Sequence, residues 1–214
     1  MLKFNDNQNW LSERINGVIK SYYIPNKFES ENPIAVDVGS NVGAFPIVNN
    51  DKFFKIICYE PSNYSYNECI KNTSNFNNVE IFNFAVSEKS NNVLKLKSYK
   101  SGNVSGNAST LDSDLWDDTQ YELVKTISLE DIFSNNNLTK IDYLKVDCEG
   151  GEYDFLMNKD LSKIDYIAIE IHLQLNEKAN DLMRYLDIYF IKISEFGDGR
   201  TMHKEITYKN RRLT

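Results

Sequence analysis

The stretch LKVDCEGGEY, residues 144–153, decides how the chain is read. An apolar run that reads as a buried strand stops at Asp147. Glu149 and Glu152 follow, with Gly150 and Gly151 between them. Carboxylates crowded in this way repel unless a positive charge or a shared proton relieves them. In an open parallel sheet, ligands sit beyond the carboxyl ends of the strands. A strand that ends in acids and glycines is therefore where a site is expected.

Working outward, the same kind of strand recurs. PIAVDV (33–38), KIICYEP (55–61), VEIFNFAV (79–86) and IDYIAIEIH (164–172) are short apolar runs without alternation. Such runs mark strands buried on both faces of a parallel sheet. Helical spacing appears over 8–24, through Leu11, Ile15, Val18 and Ile19, over part of 62–75 with Ser62 as a possible N-cap, over 149–158 and over 175–186. NVLKLKSY (92–99) alternates and ELVKTIS returns, so 92–126 reads as an antiparallel insertion. SLEDIF (128–133) is a capped short helix, DIYFIKIS (187–194) a strand, and 204–210 a last antiparallel strand. The sum is an α/β chain with a doubly wound, mostly parallel seven-stranded sheet. It is expected to be one domain over 1–214, with an N-terminal helical segment over 1–32.

Composition narrows the function. The 214 residues carry a net charge of −7, which opposes broad binding to nucleic-acid phosphates. No run of 18 apolar residues suggests a membrane span, and MLKFNDNQNW has no signal-like apolar core. A cytoplasmic location is the expectation. Cys58, Cys69 and Cys148 lack metal-ligand spacing and read as reduced thiols, with Cys58 and Cys148 packed in strands.

DVGSNVGAF (37–45) joins the first strand to the next helix. Gly39 permits a tight turn close to a ligand, and Gly43 permits the helix to approach the strand. Glu60 ends the second strand, where an acid can accept hydrogen bonds from both ribose hydroxyls. The dinucleotide pattern G-x-G-x-x-G is absent, and Asp37 before the turn opposes a pyrophosphate. A ligand with an amino group and a sulfonium, S-adenosylmethionine, suits this acid better than NAD. The plainer reading is that Asp37 and Asn41 satisfy the backbone of the turn.

Side chains on a strand alternate faces, so Lys145 pairs with Asp147 on one strand and Glu170 with His172 on another. If those strands are neighbours, two readings follow. Asp147, Glu170 and His172 bind Mg²⁺ or Mn²⁺, or Asp147 or His172 is a general base for an acceptor hydroxyl. The structural alternative is that Lys145 neutralises Asp147, Glu149 caps a helix and Glu170 pairs with a lysine. His203 falls in a charged tail, and Glu152 reads as solvated or as a helix-dipole acid.

DVGSNVGAF, YEPS, NFAVSE, STLD, LKVDCEGGEYDFL and IEIH together resemble the FkbM-family methyltransferases, a branch of the class I enzymes that use S-adenosylmethionine. The resemblance covers roughly 33–172. It implies a Rossmann-like sheet with its last strand reversed, and methyl transfer to a hydroxyl oxygen of a sugar, glycan or natural product. It implies that Asp37, Gly39, Ser40, Asn41 and Gly43 line the methionine half of the cofactor, that Glu60 holds the ribose, and that Asn83, Ala85 and Val86 flank the adenine. It further implies that Ser109 lies near the cofactor and that Asp147, Glu149, Glu170 and His172 face the reacting centre. The 92–126 insertion is the expected wall of the acceptor pocket. A non-catalytic cofactor-binding protein of the same fold is the alternative.

Overall fold

Unbroken runs of β-branched and aromatic residues build the centre of the molecule. The computed structural model describes residues 8–99, 108–109, 116–173, 176–197 and 203–214. After α1 (Gln8–Ser21), the chain alternates β1 (Ile34–Val38), α2 (Ala44–Asn49), β2 (Lys55–Tyr59), α3 (Asn63–Thr73) and β3 (Val79–Phe82). Then come β4 (Ala85–Val86), β5 (Val93–Tyr99), β6 (Ala108–Ser109), β7 (Trp116–Ile127) and α4 (Leu129–Asn135). β8 (Ile141–Val146), α5 (Glu152–Leu156), β9 (Ile164–His172), α6 (Asn176–Tyr189), β10 (Phe190–Phe196) and β11 (His203–Asn210) complete it.

The main sheet has seven strands in the order β3-β2-β1-β8-β9-β11-β10. Only β11 runs against its neighbours β9 and β10. The expected mostly parallel seven-stranded sheet is present, with the reversal in β11. β5 and β7 pair antiparallel in a second, four-stranded sheet, as the insertion predicts.

Each face of the main sheet has its own cover. Val36, Ile57, Leu144, Ile167 and Ile169 pack with Ile132, Phe155, Leu182 and Leu186 from α4, α5 and α6. On the other face Ala35, Ile56, Tyr143 and Ala168 meet Tyr22, Phe28, Phe45 and Phe53. Phe45 stacks on Tyr143 with ring centroids 5.9 Å apart. That second face changes character toward the carboxyl ends of the strands. Asp37 aligns with Lys145, Lys145 with Ala168, and Ala168 with Thr207. The apolar layer thus gives way to a polar row, and the site begins there.

Four expectations shift. VEIFNFAV is not one strand: Asn83 Nδ2 donates to the carbonyls of Glu60 and Pro61, the chain bends, and Ala85–Val86 joins β7 instead. The helix expected over 149–158 is only Glu152–Leu156, because Glu149 and Gly150 adopt positive φ of 53° and 98°. α6 runs on to Tyr189 before β10 begins. Ser62 holds the N-cap position of α3 without a side-chain cap, whereas Ser128 caps α4 by accepting from the Asp131 amide.

Gly39 has φ of 77°, and a Cβ added there would lie 1.8 Å from the Asp147 carbonyl oxygen. Gly39→Ala should therefore lower the urea midpoint by an amount worth at least ~2 kcal/mol. Gly17→Ala, inside α1 with nothing within 4 Å of the added methyl, should leave the protein as stable or raise stability by about 0.5–1 kcal/mol.

Candidate active site

Lys145 is 3% exposed and sits at the centre of the polar row. Its Nζ lies 3.1 Å from Asp37 Oδ1 and 3.6 Å from Asp147 Oδ2, and it donates to the Gly39 carbonyl at 2.9 Å. Burial pushes the ammonium toward neutrality, but Asp37 and Asp147 outweigh burial and raise its pKa. Asp147 also accepts from the Tyr22 hydroxyl at 3.3 Å. Burial would raise the Asp147 carboxyl, yet Lys145, Arg14 and His172 hold it below its ordinary value. Asp147 is thus an ionised carboxylate, partly open to solvent. Asp37 differs: it is fully buried, turned inward to Lys145 behind the turn.

The glycine turn folds back on the end of β2. The amides of Gly39 and Ser40 both donate to the Tyr59 carbonyl, and the Ser40 hydroxyl caps Asp37 and Tyr59 carbonyls. Asn41 has φ of 51°, a region Asn tolerates. Its amide donates to Glu60 Oε2 at 2.8 Å, and the Ser62 amide donates to Glu60 Oε1 at 2.9 Å. Each oxygen keeps a further lone pair for a ligand hydroxyl. Burial pushes the Glu60 carboxyl up to about 7 against those two amides. A Cβ on Gly43 would meet Cys69 Sγ at 3.0 Å, so Gly43 serves the approach of α3 to the turn. Asn83 stands next to Glu60 at the end of β3, and Ala85 and Val86 are buried beyond it. The side chain of Ser109 lies outside the described residues.

His172 ends β9 in a clamp of acids. Its Nδ1 is 3.1 Å from Glu152 Oε1, and its Nε2 is 3.3 Å from Glu149 Oε2 and 3.5 Å from Glu170 Oε1. Burial alone would lower its pKa, but the bonds to Glu149 and Glu152 raise it to about 11. It is an imidazolium at neutral pH. Glu152 corrects the expectation of a solvated acid, because it is fully buried. It accepts from the amides of Gly150 and His172 and so ties the turn after β8 to the end of β9. Cys148 is in this turn rather than in a strand, with Sγ 3.7 Å from Glu152 Oε2. The left-handed backbone at Glu149 aims its carboxylate at the imidazole.

His203 is a second correction. It opens β11 opposite His172, and its ring lies 6.2 Å from the His172 ring. Its Nδ1 is 3.6 Å from Glu170 Oε1 and its Nε2 is 3.7 Å from Glu205 Oε1. Among the described residues, Glu170 is the one of the three residues expected to share a cation that belongs to a group with converging donors, and its companions are His203 and Glu205. Asp147 is engaged by Lys145 and Tyr22, and His172 by Glu149 and Glu152. Burial, then Asp147, push the Glu170 carboxyl up to about 9. The N-terminal segment also contributes: Tyr22 reaches Asp147, and the Ser21 hydroxyl donates to Glu205. The insertion is therefore not the sole wall of this site.

Glu60, the Gly39 turn, Asp147 and His172 follow or end β2, β1, β8 and β9. β2, β1, β8 and β9 are consecutive in the sheet, so the four groups share one rim.

Residues 37–206 match the family described as Methyltransferase FkbM domain. No curated protein sequence matches the chain. Among solved structures, TrmK of M. capricolum in complex with S-adenosyl-homocysteine superposes with a TM-score of 0.50 at 16% identity, covering 92% of this chain and 68% of that one. A human methyltransferase 10 domain containing protein gives 0.50 at 12%, covering 97% and 88%. An rRNA methylase from Streptococcus thermophilus gives 0.51 at 10%, covering 94% and 92%. At these identities the likeness is one of fold. Among the described residues no helix is long and apolar enough to cross a membrane.

Lys145→Met should destabilise the fold by about 3–5 kcal/mol in urea unfolding, since it strands the buried Asp37 carboxylate. Glu60 gives a pH signature. Its folded pKa is above its unfolded one, so the folded state holds the proton more tightly. Its stabilising contribution is complete below about 4.5 and is lost as pH rises to about 7. Urea midpoints measured across that window should fall with pH, and the Glu60→Gln protein should lack that part of the decline.

Proposed function

The chain belongs to the Methyltransferase FkbM domain family, and from that premise we propose that it transfers a methyl group from S-adenosylmethionine to a hydroxyl oxygen of a sugar, glycan or natural product. The observation that carries this reading is Glu60. Two backbone amides fix its carboxylate at the tip of β2, beside the Gly39 turn, with acceptor capacity left on both oxygens. That donor–acceptor pattern fits a ribose diol. The acid-lined rim suits a sulfonium, and S-adenosylmethionine would supply an electrophilic methyl there. Gly39, Ser40, Asn41 and Gly43 shape the loop beneath the methionine end, with Asp37 acting through Lys145 and the backbone. Asn83 and Ala85 stand on the adenine side, with Ser109 assigned to the cofactor as well.

On the acceptor side the residues divide the work. Asp147 is ionised and partly exposed, so it is the group able to take the hydroxyl proton. A weak base suffices, because the hydroxyl becomes strongly acidic as its oxygen gains a carbon. His172 has both ring nitrogens against carboxylates and serves instead to position Glu149 and Glu170. Nucleic-acid acceptors suit this rim poorly: the net charge is −7, and the acids crowd the place where phosphates would lie.

Calorimetry with S-adenosylhomocysteine should give one site per chain. Affinity should rise with pH by up to about tenfold per unit and level off above about 7, because ribose hydroxyls bond the ionised Glu60. Glu60→Ala should weaken binding at least about tenfold. Transfer of labelled methyl to a sugar and polyol panel should be lost in Asp147→Asn by about 10²–10⁴. Absence of cofactor binding would sink the proposal, and binding without transfer to any acceptor would make the chain a scaffold of the same fold.

A further inference from the structure

Four side chains form a square on one face of the β9–β11 pair. Glu205 stands directly opposite Glu170, and His203 opposite His172. The register of β8 on β9, continued by one residue, adds Asp147 to the same row. Among the described residues no lysine or arginine forms an ion pair with Glu170 or Glu205, whose neighbours include His172 at 3.5 Å from Glu170 and the Ser21 hydroxyl at 3.4 Å from Glu205. Lys145 is held by Asp37, and Lys204 by Glu195. Glu205 is 9% exposed, so water screens it little. One donor atom each from Glu170, His203 and Glu205 falls within 4.8 Å of the others.

We infer that Glu170, His203 and Glu205 bind one divalent transition cation of the Mn²⁺ type, next to Asp147. Two carboxylate oxygens and an imidazole nitrogen favour Mn²⁺, Fe²⁺ or Zn²⁺ over the all-oxygen ions Mg²⁺ and Ca²⁺. Donors around such an ion at about 2.1 Å lie roughly 3–3.5 Å apart. His203 now faces Glu170 with Nδ1 and Glu205 with Nε2; one ion takes a single ring nitrogen, so the imidazole turns to offer one nitrogen to carboxylate oxygens already within 4.8 Å of it. His172 stays outside the ligand set because its ring nitrogens are held at 3.3 Å and 3.1 Å by Glu149 and Glu152, which are not in the group, whereas the carboxylates facing the His203 nitrogens are the group's own Glu170 and Glu205. Three protein ligands leave coordination positions for water or for neighbouring hydroxyls of an acceptor. The site is built by β9 and β11 and needs neither the glycine turn nor Glu60, so cation binding is measured apart from cofactor binding and methyl transfer.

The test is a titration of the chelator-stripped full chain with MnCl₂, reading free Mn²⁺ by electron paramagnetic resonance. One ion per chain is expected, and Glu205→Gln and His203→Asn should each weaken binding at least about tenfold. Glu195→Gln, on the neighbouring strand β10, should bind as the parent does. Circular dichroism checks that the variants fold. The His203 side chain is 38% exposed, so His203→Asn keeps the test decisive even if Glu205→Gln unfolds. No uptake up to about 1 mM Mn²⁺, or equal uptake by the parent, Glu205→Gln and His203→Asn, would overturn the inference.

Discussion

The ammonium of Lys145 has no exit to water, and the geometry of the whole rim follows from where it must put its charge. It bonds the Asp37 carboxylate across to β1, the Gly39 carbonyl above it and the Asp147 carboxylate beyond its own strand. An unpaired charge in that position would be far too costly to bury. The two central strands are therefore held in one register by electrostatics as well as by backbone bonds. Asp147 gains its ionised state from the same contact. Without it, Asp147 would have little reason to remain charged so close to the other acids of the rim.

Charge on the rest of the rim is relieved one pair at a time. Glu152 and Glu149 grip the two nitrogens of His172, which turns a residue that looks like a base into a fixed cation. Glu152 reaches both the turn after β8 and the end of β9, so it locks two strand ends with one buried group. The left-handed backbone at Glu149 is the strained element that this arrangement tolerates. Past His172, Glu170 and Glu205 face each other with His203 as their common neighbour.

Much of this was legible in the chain itself. Unalternated apolar runs gave away the buried parallel strands, and the acids and glycines at their ends marked the rim. Lys145 and Asp147 could be placed on one face by parity alone. What escaped was long-range. Glu152 looks like an ordinary first-turn acid until the pairing of β9 beside β8 brings the amide and ring of His172 onto it. His203 sits among charged residues in sequence, and only the antiparallel pairing of β11 on β9 brings it opposite His172. The bend at Asn83 is set by carbonyls of Glu60 and Pro61, which no local pattern announces. Likewise Tyr22 and Ser21 reach the rim because the aromatic layer under α2 draws their segment across the sheet.

The contact between the Gly39 turn and the exit of β8 has a wider meaning. A turn that leaves no room for a single methyl group against the Asp147 backbone cannot shift independently of it. The Gly39 turn and the exit of β8 therefore behave as one mechanical part. Diversification of such a protein is channelled away from this contact, into the insertion and the segment after α1. New recipients can be accommodated there while the shared centre stays the same.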